Sequence, residues 1–358
     1  MRCPSNILHS QLTNSLHGLH KQSQSLRCKS LYLKARANVG HIRTQKSVDV
    51  RCHTAALERE AIQAEALEDE HISRDTLPAP SPGKLQHNAT VFVEEHRIRA
   101  YEVGPDQKTT ISTVANLLQE VAGNHGVALW GRTEEGFATD PVMVAMHLIF
   151  AATRIQIEMS KYPKWGDIVR IETYFSADGR LAARREWSIQ NALTGEQLGR
   201  ATSTWVMVNL QKRKVAKIPD EMRQKLARFA PDPPRDAFDK SDHKLKLPAL
   251  ELPAEIEGPM QVARRSDVDM NGHINNVTYI AWALETVPRD VYYNYELQQM
   301  EIDYKAECHS GDAIESLGSS IKEDTNGTGI RRYIHMLQRC DDGVCRELVR
   351  ARTTWRPA

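Results

Sequence analysis

Acidic side chains are missing from the start of the chain: no Asp or Glu occurs from Met1 to Ser47, and the first acid is Asp49. Long apolar runs are missing everywhere. The longest nearly apolar stretch, residues 142–152, contains His147 and falls far short of the roughly 20 residues that span a bilayer as a helix, so no integral membrane segment is expected. Cysteine is sparse after the N-terminal region. Of Cys3, Cys28, Cys52, Cys308, Cys340 and Cys345, half lie within or beside the first 52 residues. The three that remain are unevenly spaced and make no disulfide framework, which points to a reducing compartment. Cys340 and Cys345 flank a turn and read as two free thiols. No cysteine pair or His-x-His stands where zinc ligands would, and neither a metal nor another cofactor is expected. Over all 358 residues the net charge is +1, which argues against a dedicated nucleic-acid binder. A hydrophobic fraction of 41% with 26% charged residues excludes wholesale disorder, collagen-like repeats and a disulfide-rich miniprotein.

The acid-free region is basic and hydroxyl-rich. Arg2, Lys21, Arg27, Lys29, Lys34, Arg36, Arg43 and Lys46 are interleaved with Ser, Thr, Gln and His. That composition, without a long apolar core, reads as an organellar transit peptide over residues 1–52. Its serine content favours the chloroplast over the mitochondrion. Residues 53–358 then carry 38 Lys/Arg against 45 Asp/Glu, a net charge of −7. A protein of that sign does not attract a polyanion through its overall field, so any acidic partner must meet a local basic patch.

Residues 53–90 are charged and then proline-rich, with Pro78, Pro80 and Pro82. They read as a flexible lead-in that includes a short polar helix over 55–70, with structure beginning near Val91. Residues 218–259 hold seven of the sixteen prolines. They read as a linker, extended apart from a short helix over 221–229. The blocks on either side, 91–217 and 260–358, resemble each other. Each has a helix-like stretch (111–130 and 275–287), then a Gly-Asp pair opening a strand (Gly166-Asp167 and Gly311-Asp312). Each ends in strands that close on a similar string, Ala201-Thr202-Ser203-Thr204-Trp205 and Ala351-Arg352-Thr353-Thr354-Trp355. Strand-like runs cover 168–175, 184–190 with 198–208, and 331–339 with 344–355. Turns are expected at Leu193-Thr194-Gly195, at Asp341-Asp342-Gly343 and at 324–327. One helix followed by antiparallel strands, occurring twice, predicts an α+β fold with a sheet wrapped on each helix.

One loop concentrates the chemistry. Asp267-Val268-Asp269-Met270-Asn271-Gly272-His273-Ile274-Asn275-Asn276 precedes an apolar helix for which Asn275 or Asn276 is a sensible N-cap. A helix N-terminus favours negative charge, imidazole exchanges protons near neutral pH, and Asn and Asp can position water or accept a proton. The same residues could equally form a helix cap with a packed histidine.

The run from Asp267 to Pro288 resembles the signature of plant and algal acyl-acyl carrier protein (acyl-ACP) thioesterases. So do 297–308, ending Asp303-Tyr304-Lys305-Ala306-Glu307-Cys308, and in the first block 115–125 and 199–207. The resemblance spans about residues 90–356. Val277-Thr278-Tyr279-Ile280 and the lack of an apolar anchor behind the leader favour the oleoyl-preferring branch. The resemblance implies a tandem hotdog, α+β, with two antiparallel sheets each wrapped around a long helix. It implies Asp269, Asn271, His273 and Glu307 as the catalytic set. Cys308, next to Glu307 in the sequence, reads as a supporting residue, with a thiol nucleophile paired to a histidine as the alternative. Gly272 stands where many members carry Gln. The implied reaction is hydrolysis of long-chain acyl-ACP to free fatty acid and ACP in the plastid stroma, ending fatty-acid synthesis. Either water is activated by Glu307 with His273, or a carboxylate attacks first to form an anhydride. An acyl-CoA thioesterase and a non-catalytic acyl-binding protein on the same fold are the alternatives. In the first block Tyr162 falls opposite Glu307 and the lead-in 109–113 lacks the Asp-x-Asn-x-His pattern, so one site per chain is expected. The first hotdog would form the acyl-chain pocket, with Met143, Met146, Ile149 and Phe150 as candidate lining or as helix-packing core. Lys212, Arg213, Lys214 and Lys217, or Arg264 and Arg265, are candidate basic patches for the acidic ACP. The chain acts alone or as a homodimer.

Overall fold

The computed structural model describes residues 79–358 other than 133–138, 179–180, 240–245 and 322–328. The leader 1–52, the helix expected over 55–70 and the turn at 324–327 lie outside the described residues.

Strand β1 (Lys84–Gln86) pairs with β2 (Val91–Arg97), so regular structure begins seven residues ahead of Val91. Helix α1 (Ile111–Trp130) follows, capped by Thr110, whose hydroxyl accepts from the Thr113 backbone N–H at 3.1 Å. The stretch 142–152 is not a single helix. Asp140 caps a short α2 (Pro141–Ala145), and strand β3 (Leu148–Met159) starts three residues later, placing Ile149 and Phe150 on a strand. Strands β4 (Ile168–Asp178), β5 (Ala182–Asn191), β6 (Gln197–Asn209) and β7 (Lys214–Ala216) complete the first half. Helix α3 (Asp220–Arg228) and two short strands, β8 (Ile256–Glu257) and β9 (Gln261–Val262), lead into the second. There α4 (Asn276–Leu284) and α5 (Arg289–Asn294) precede β10 (Tyr295–Tyr304), β11 (Ala313–Ser320), β12 (Arg331–Asp341) and β13 (Val344–Pro357).

The two sheets expected from the sequence are one. Strands run β1-β2-β4-β5-β6-β3-β10-β13-β12-β11-β8, all neighbours antiparallel where paired, with β3 and β10 joined from Glu158–Gln299 to Arg154–Asp303. The halves curl around α1 and α4, and one apolar core runs through both, taking Leu117, Leu118 and Val121 from α1 and Ile280 and Ala283 from α4. This is a tandem hotdog with a continuous sheet. The seam holds a buried carboxylate: Glu301 on β10 accepts from Arg154 of β3 at 3.1 Å and from Arg352 of β13 at 2.6 Å.

The proline-rich segment is more than an extended connection. Met222 and Leu226 of α3 pack with Ile218, Phe175 and Met207. Asp236 accepts from the Ser176 hydroxyl at 2.9 Å, and the Ala237 N–H donates to Glu186 at 3.2 Å. Leu250 packs against Leu317, Ile334 and Met336. Proline forbids strand or helix over much of the segment, yet its apolar residues are spaced to cover both halves. Cys340 and Cys345, expected as free thiols, face each other in the β12–β13 register and form a disulfide.

Candidate active site

The loop before α4 is organised by one carboxylate. Asp269 Oδ1 accepts from the backbone N–H of Asn271 at 2.8 Å and of His273 at 3.3 Å, while Oδ2 accepts from Asn271 Nδ2 at 3.1 Å. The Asp269 N–H donates to the His273 carbonyl at 2.8 Å, and Val268 and Ile274 pair as a β-bridge that closes the loop. Gly272 sits at φ +78°, the left-handed region that costs glycine nothing. Asn275 is the N-cap of α4 and accepts from the Val277 N–H at 2.9 Å. The α4 N-terminus, with its positive end of the helix dipole, therefore opens directly onto His273.

Glu307 lies in the irregular segment that follows β10, not on a strand, and its Oε2 pairs with His273 Nδ1. A carboxylate only accepts, so this contact puts the proton of neutral His273 on Nδ1 and leaves the Nε2 lone pair free to act as a base. Both side chains are more than half exposed, at 55% and 62%, and an incoming substrate can reach them. The structure thus brings together all four residues singled out in the sequence.

Cys308 points the other way. It is buried, its Sγ lies 3.3 Å from the Tyr279 hydroxyl, and its backbone N–H donates to the same hydroxyl at 3.2 Å. Burial pushes its thiol above the ordinary range, which removes the thiolate that nucleophilic attack needs. What sequence reading missed is the part Tyr279 plays: it ties the Glu307 segment to α4 by holding Cys308. The sequence marked it only as one residue of the Val277–Ile280 string on an apolar helix.

The first half carries a copy of this loop with its chemistry replaced. Gly104 N–H donates to the Lys108 carbonyl at 2.8 Å, and Val103 and Thr109 form the same bridge. Thr110 caps α1 as Asn275 caps α4. Gly104, Asp106 and Lys108 thereby stand where Asp269, Asn271 and His273 stand. The copy begins five residues before the lead-in considered in the sequence. Tyr162 occupies the place of Glu307: Lys161 donates to Leu198 O as Ala306 donates to Leu348 O, and the Tyr162 hydroxyl is buried on Leu297 O at 2.9 Å. Lys108 is spent on Glu296, at 2.8 Å.

A groove of about 340 Å³ lies between Ser112 and Asn116 of α1 and residues 266–268, and it takes in Val268 and Asn275, the two shoulders of the loop. Of the two basic patches, Arg264 and Arg265 lie exposed at the entrance to the loop, while Lys212 and Arg213 lie on the exposed β6–β7 turn and Lys214 opens β7.

Two family models cover the chain: the acyl-ACP thioesterase N-terminal domain matches residues 89–226 and the C-terminal domain matches 254–357. The chain belongs to the acyl-ACP thioesterase family. It is 40% identical over 286 residues to the chloroplastic oleoyl-acyl carrier protein thioesterase 1 of Arabidopsis thaliana, covering 76% of this chain and 78% of that protein. It is 38% identical over 310 residues to the chloroplastic oleoyl-acyl carrier protein thioesterase of Coriandrum sativum, covering 81% and 83%. Among solved structures, the 12:0-ACP thioesterase from Umbellularia californica superposes with a TM-score of 0.66 at 33% identity, over 75% of this chain and 95% of that one. The loop and its degenerate copy fall one in each family domain, so the C-terminal domain holds all four site residues.

Proposed function

We propose that this thioesterase hydrolyses long-chain acyl-ACP in the plastid through a His273–Glu307 dyad in its C-terminal hotdog, residues 260–358. The observation that carries the reading is the contact of His273 Nδ1 with Glu307. It fixes the tautomer in which Nε2 takes the proton of an attacking water, with Glu307 holding the ring and stabilising the imidazolium, as in a triad. Asn271, tethered by Asp269, positions the water or the thioester carbonyl, and the N-terminus of α4 favours the oxyanion. Three hydrogen bonds of the loop fall on the Asp269 carboxylate, which suits an organiser and not a nucleophile. The collapsing tetrahedral intermediate expels the phosphopantetheine thiolate of ACP and leaves a free fatty acid.

The N-terminal hotdog, 91–217, holds the acyl chain in this reading, and 218–259 braces both halves. Met143 is buried in the cluster at the end of α1, whereas Met146 and Ile149 face outward and line no acyl pocket in this reading. Arg264 and Arg265, beside the loop, suit an acidic carrier protein better than the distant Lys212–Lys217 patch. Because β3 and β10 already pair the two hotdogs within one chain, the site is complete without a second copy.

Thiol release from oleoyl-, palmitoyl- and lauroyl-ACP and from oleoyl-CoA tests this directly. ACP-dependent turnover, with KM rising severalfold in an Arg264→Ala/Arg265→Ala variant, is expected. Turnover on CoA alone moves the protein to the acyl-CoA reading, and no turnover by folded protein leaves an acyl-binding one.

A further inference from the structure

The outer face of the first half of the sheet is covered in one stretch and bare in the next. Arg184 on β5 donates to Glu186 at 2.7 Å and to Thr202 of β6 at 2.6 Å. Residues 235–238 of the proline-rich segment lie over this group. The Ala237 N–H donates to Glu186 at 3.2 Å, and the Arg235 guanidinium stacks on Tyr174 at 4.7 Å. The next two rows of the same face are aliphatic. Ala182, Val206 and Ala151 stand in register across β5, β6 and β3, and Val215, Val208 and Ile149 across β7, β6 and β3. Their strand neighbours Ala183, Met207 and Leu148 are buried in the cluster with Met222, so by alternation the six face outward. Val215 is 63% exposed, and Leu210, just past β6, is 54% exposed. A contiguous bare apolar surface marks a place where something docks.

Its rim carries one sign of charge. Lys212, Arg213, Lys214 and Lys217 are all exposed beside Val215, and no Asp or Glu occurs in residues 141–153 or 206–217. The next acids along the chain, Asp220 and Glu221, pair with Arg223 and Lys225 on their own helix. This basic rim stands out on residues 53–358, whose net charge is −7.

We propose that this face docks the protein onto an anionic lipid bilayer. Val215, Val208, Ile149 and Leu210 enter the headgroup layer while the four basic side chains meet lipid phosphates. The inference goes beyond the hydrolytic reading and does not depend on it. Charge complementarity selects the occupant. A second copy in a two-fold contact would set one basic rim against the other. Protein interfaces are enriched in aromatic residues and depleted in lysine, whereas the two rows hold no aromatic side chain and the rim holds three lysines. A carrier protein must reach His273, and this face lies at the far end of α1. Val144, which leads into β3, shares a groove with Trp130, and Trp130 stands 14 residues beyond Asn116, about 21 Å along the helix. A flat bilayer needs no such reach.

The test is flotation of residues 53–358, the form left when the basic leader is removed, with vesicles of phosphatidylcholine alone or mixed equally with phosphatidylglycerol. Two variants run beside the wild type: Lys212→Glu/Arg213→Glu/Lys214→Glu, and Leu210→Ser/Val215→Ser. Both change exposed side chains, thermal unfolding checks that they fold, and the second serves if the first does not. The wild type is expected to float with the mixed vesicles and not with phosphatidylcholine alone. Its partition coefficient should fall about tenfold or more on charge reversal and severalfold in the serine variant. The proposal is overturned if the wild type does not float, or if either folded variant floats as the wild type does. It is also overturned if charge reversal raises the KM for acyl-ACP without vesicles, which gives the face to the carrier protein. A wild-type dimer in sedimentation that Leu210→Ser/Val215→Ser abolishes gives the face to a second copy and overturns it too.

Discussion

At the scale of single residues, the contact between Glu307 and His273 divides the labour in the proposed mechanism. Glutamine at position 307 keeps the shape but can present an N–H, which favours the tautomer with its proton on the wrong nitrogen. Glu307→Gln is therefore expected to lower kcat by about 100- to 10,000-fold with little change in KM, as steady-state kinetics on acyl-ACP would show. Gly272 makes a second case. In the degenerate loop the matching residue is Gln107, held at φ +63°, and nothing lies within 4 Å of where a Gly272 side chain would begin. Gly272→Gln should cost about 1 kcal/mol by denaturant unfolding and leave turnover within a few-fold. Asp269, Asn271 and His273 were legible because they fall at alternate positions within five consecutive residues, and Glu307 was legible through resemblance. Tyr279 was not, because its bond to Cys308 joins residues 29 apart and depends on how α4 sits over the end of β10.

At the scale of elements, the periodic signals read well and the short apolar run did not. Helix α1 was readable over its whole length, since a threonine cap, an apolar stripe and Gly131 mark both ends. Residues 142–152 carry an apolar run that helix and strand share, and the cap at Asp140 with a break at 146–147 divides it. The pairing of β3 with β10 left no trace in either strand, because both are interior strands whose residues suit any buried partner. Glu301 is the element-scale test of that seam. It is 2% exposed between Arg154 and Arg352, and removing its charge takes the buried carboxylate from Arg352 and leaves Arg154 to Asp303, at 3.4 Å. Glu301→Gln should destabilise the protein by about 3–5 kcal/mol, read from chemical unfolding. A loss near zero would mean that the two halves do not depend on this bridge.

At the scale of the whole molecule, duplication explains the most. The fold repeats its loop, its cap and its Gly-Asp turn, and the Asp-x-Asn-x-His pattern stands in one copy. The repeat was legible from the Gly-Asp pairs and the closing tryptophans, but the degenerate loop was not, since Gly104, Asp106 and Lys108 share no side-chain type with their counterparts. Stability should depend on pH through the two buried imidazoles. Burial pushes His125 down to about 2 and His335 down to about 3, from 6.5. The unfolded chain binds protons at both positions below about pH 6.5 while the folded one does not, so stability is present above that value and lost as pH falls. Glu186, pushed up to about 7 by burial, acts in the opposite sense between pH 4.5 and 7, but as one group with a smaller displacement. Tm should therefore fall between pH 6.5 and pH 5, and His335→Phe should flatten the slope.

In the proposed mechanism His273 and Glu307 act as one unit. The most direct test is a double-mutant cycle on acyl-ACP hydrolysis with His273→Ala, Glu307→Ala and the pair together. If the dyad performs the proton transfer, the double variant is no slower than His273→Ala alone within a few-fold. Losses that multiply, or a Glu307→Ala enzyme with undiminished kcat, would contradict it.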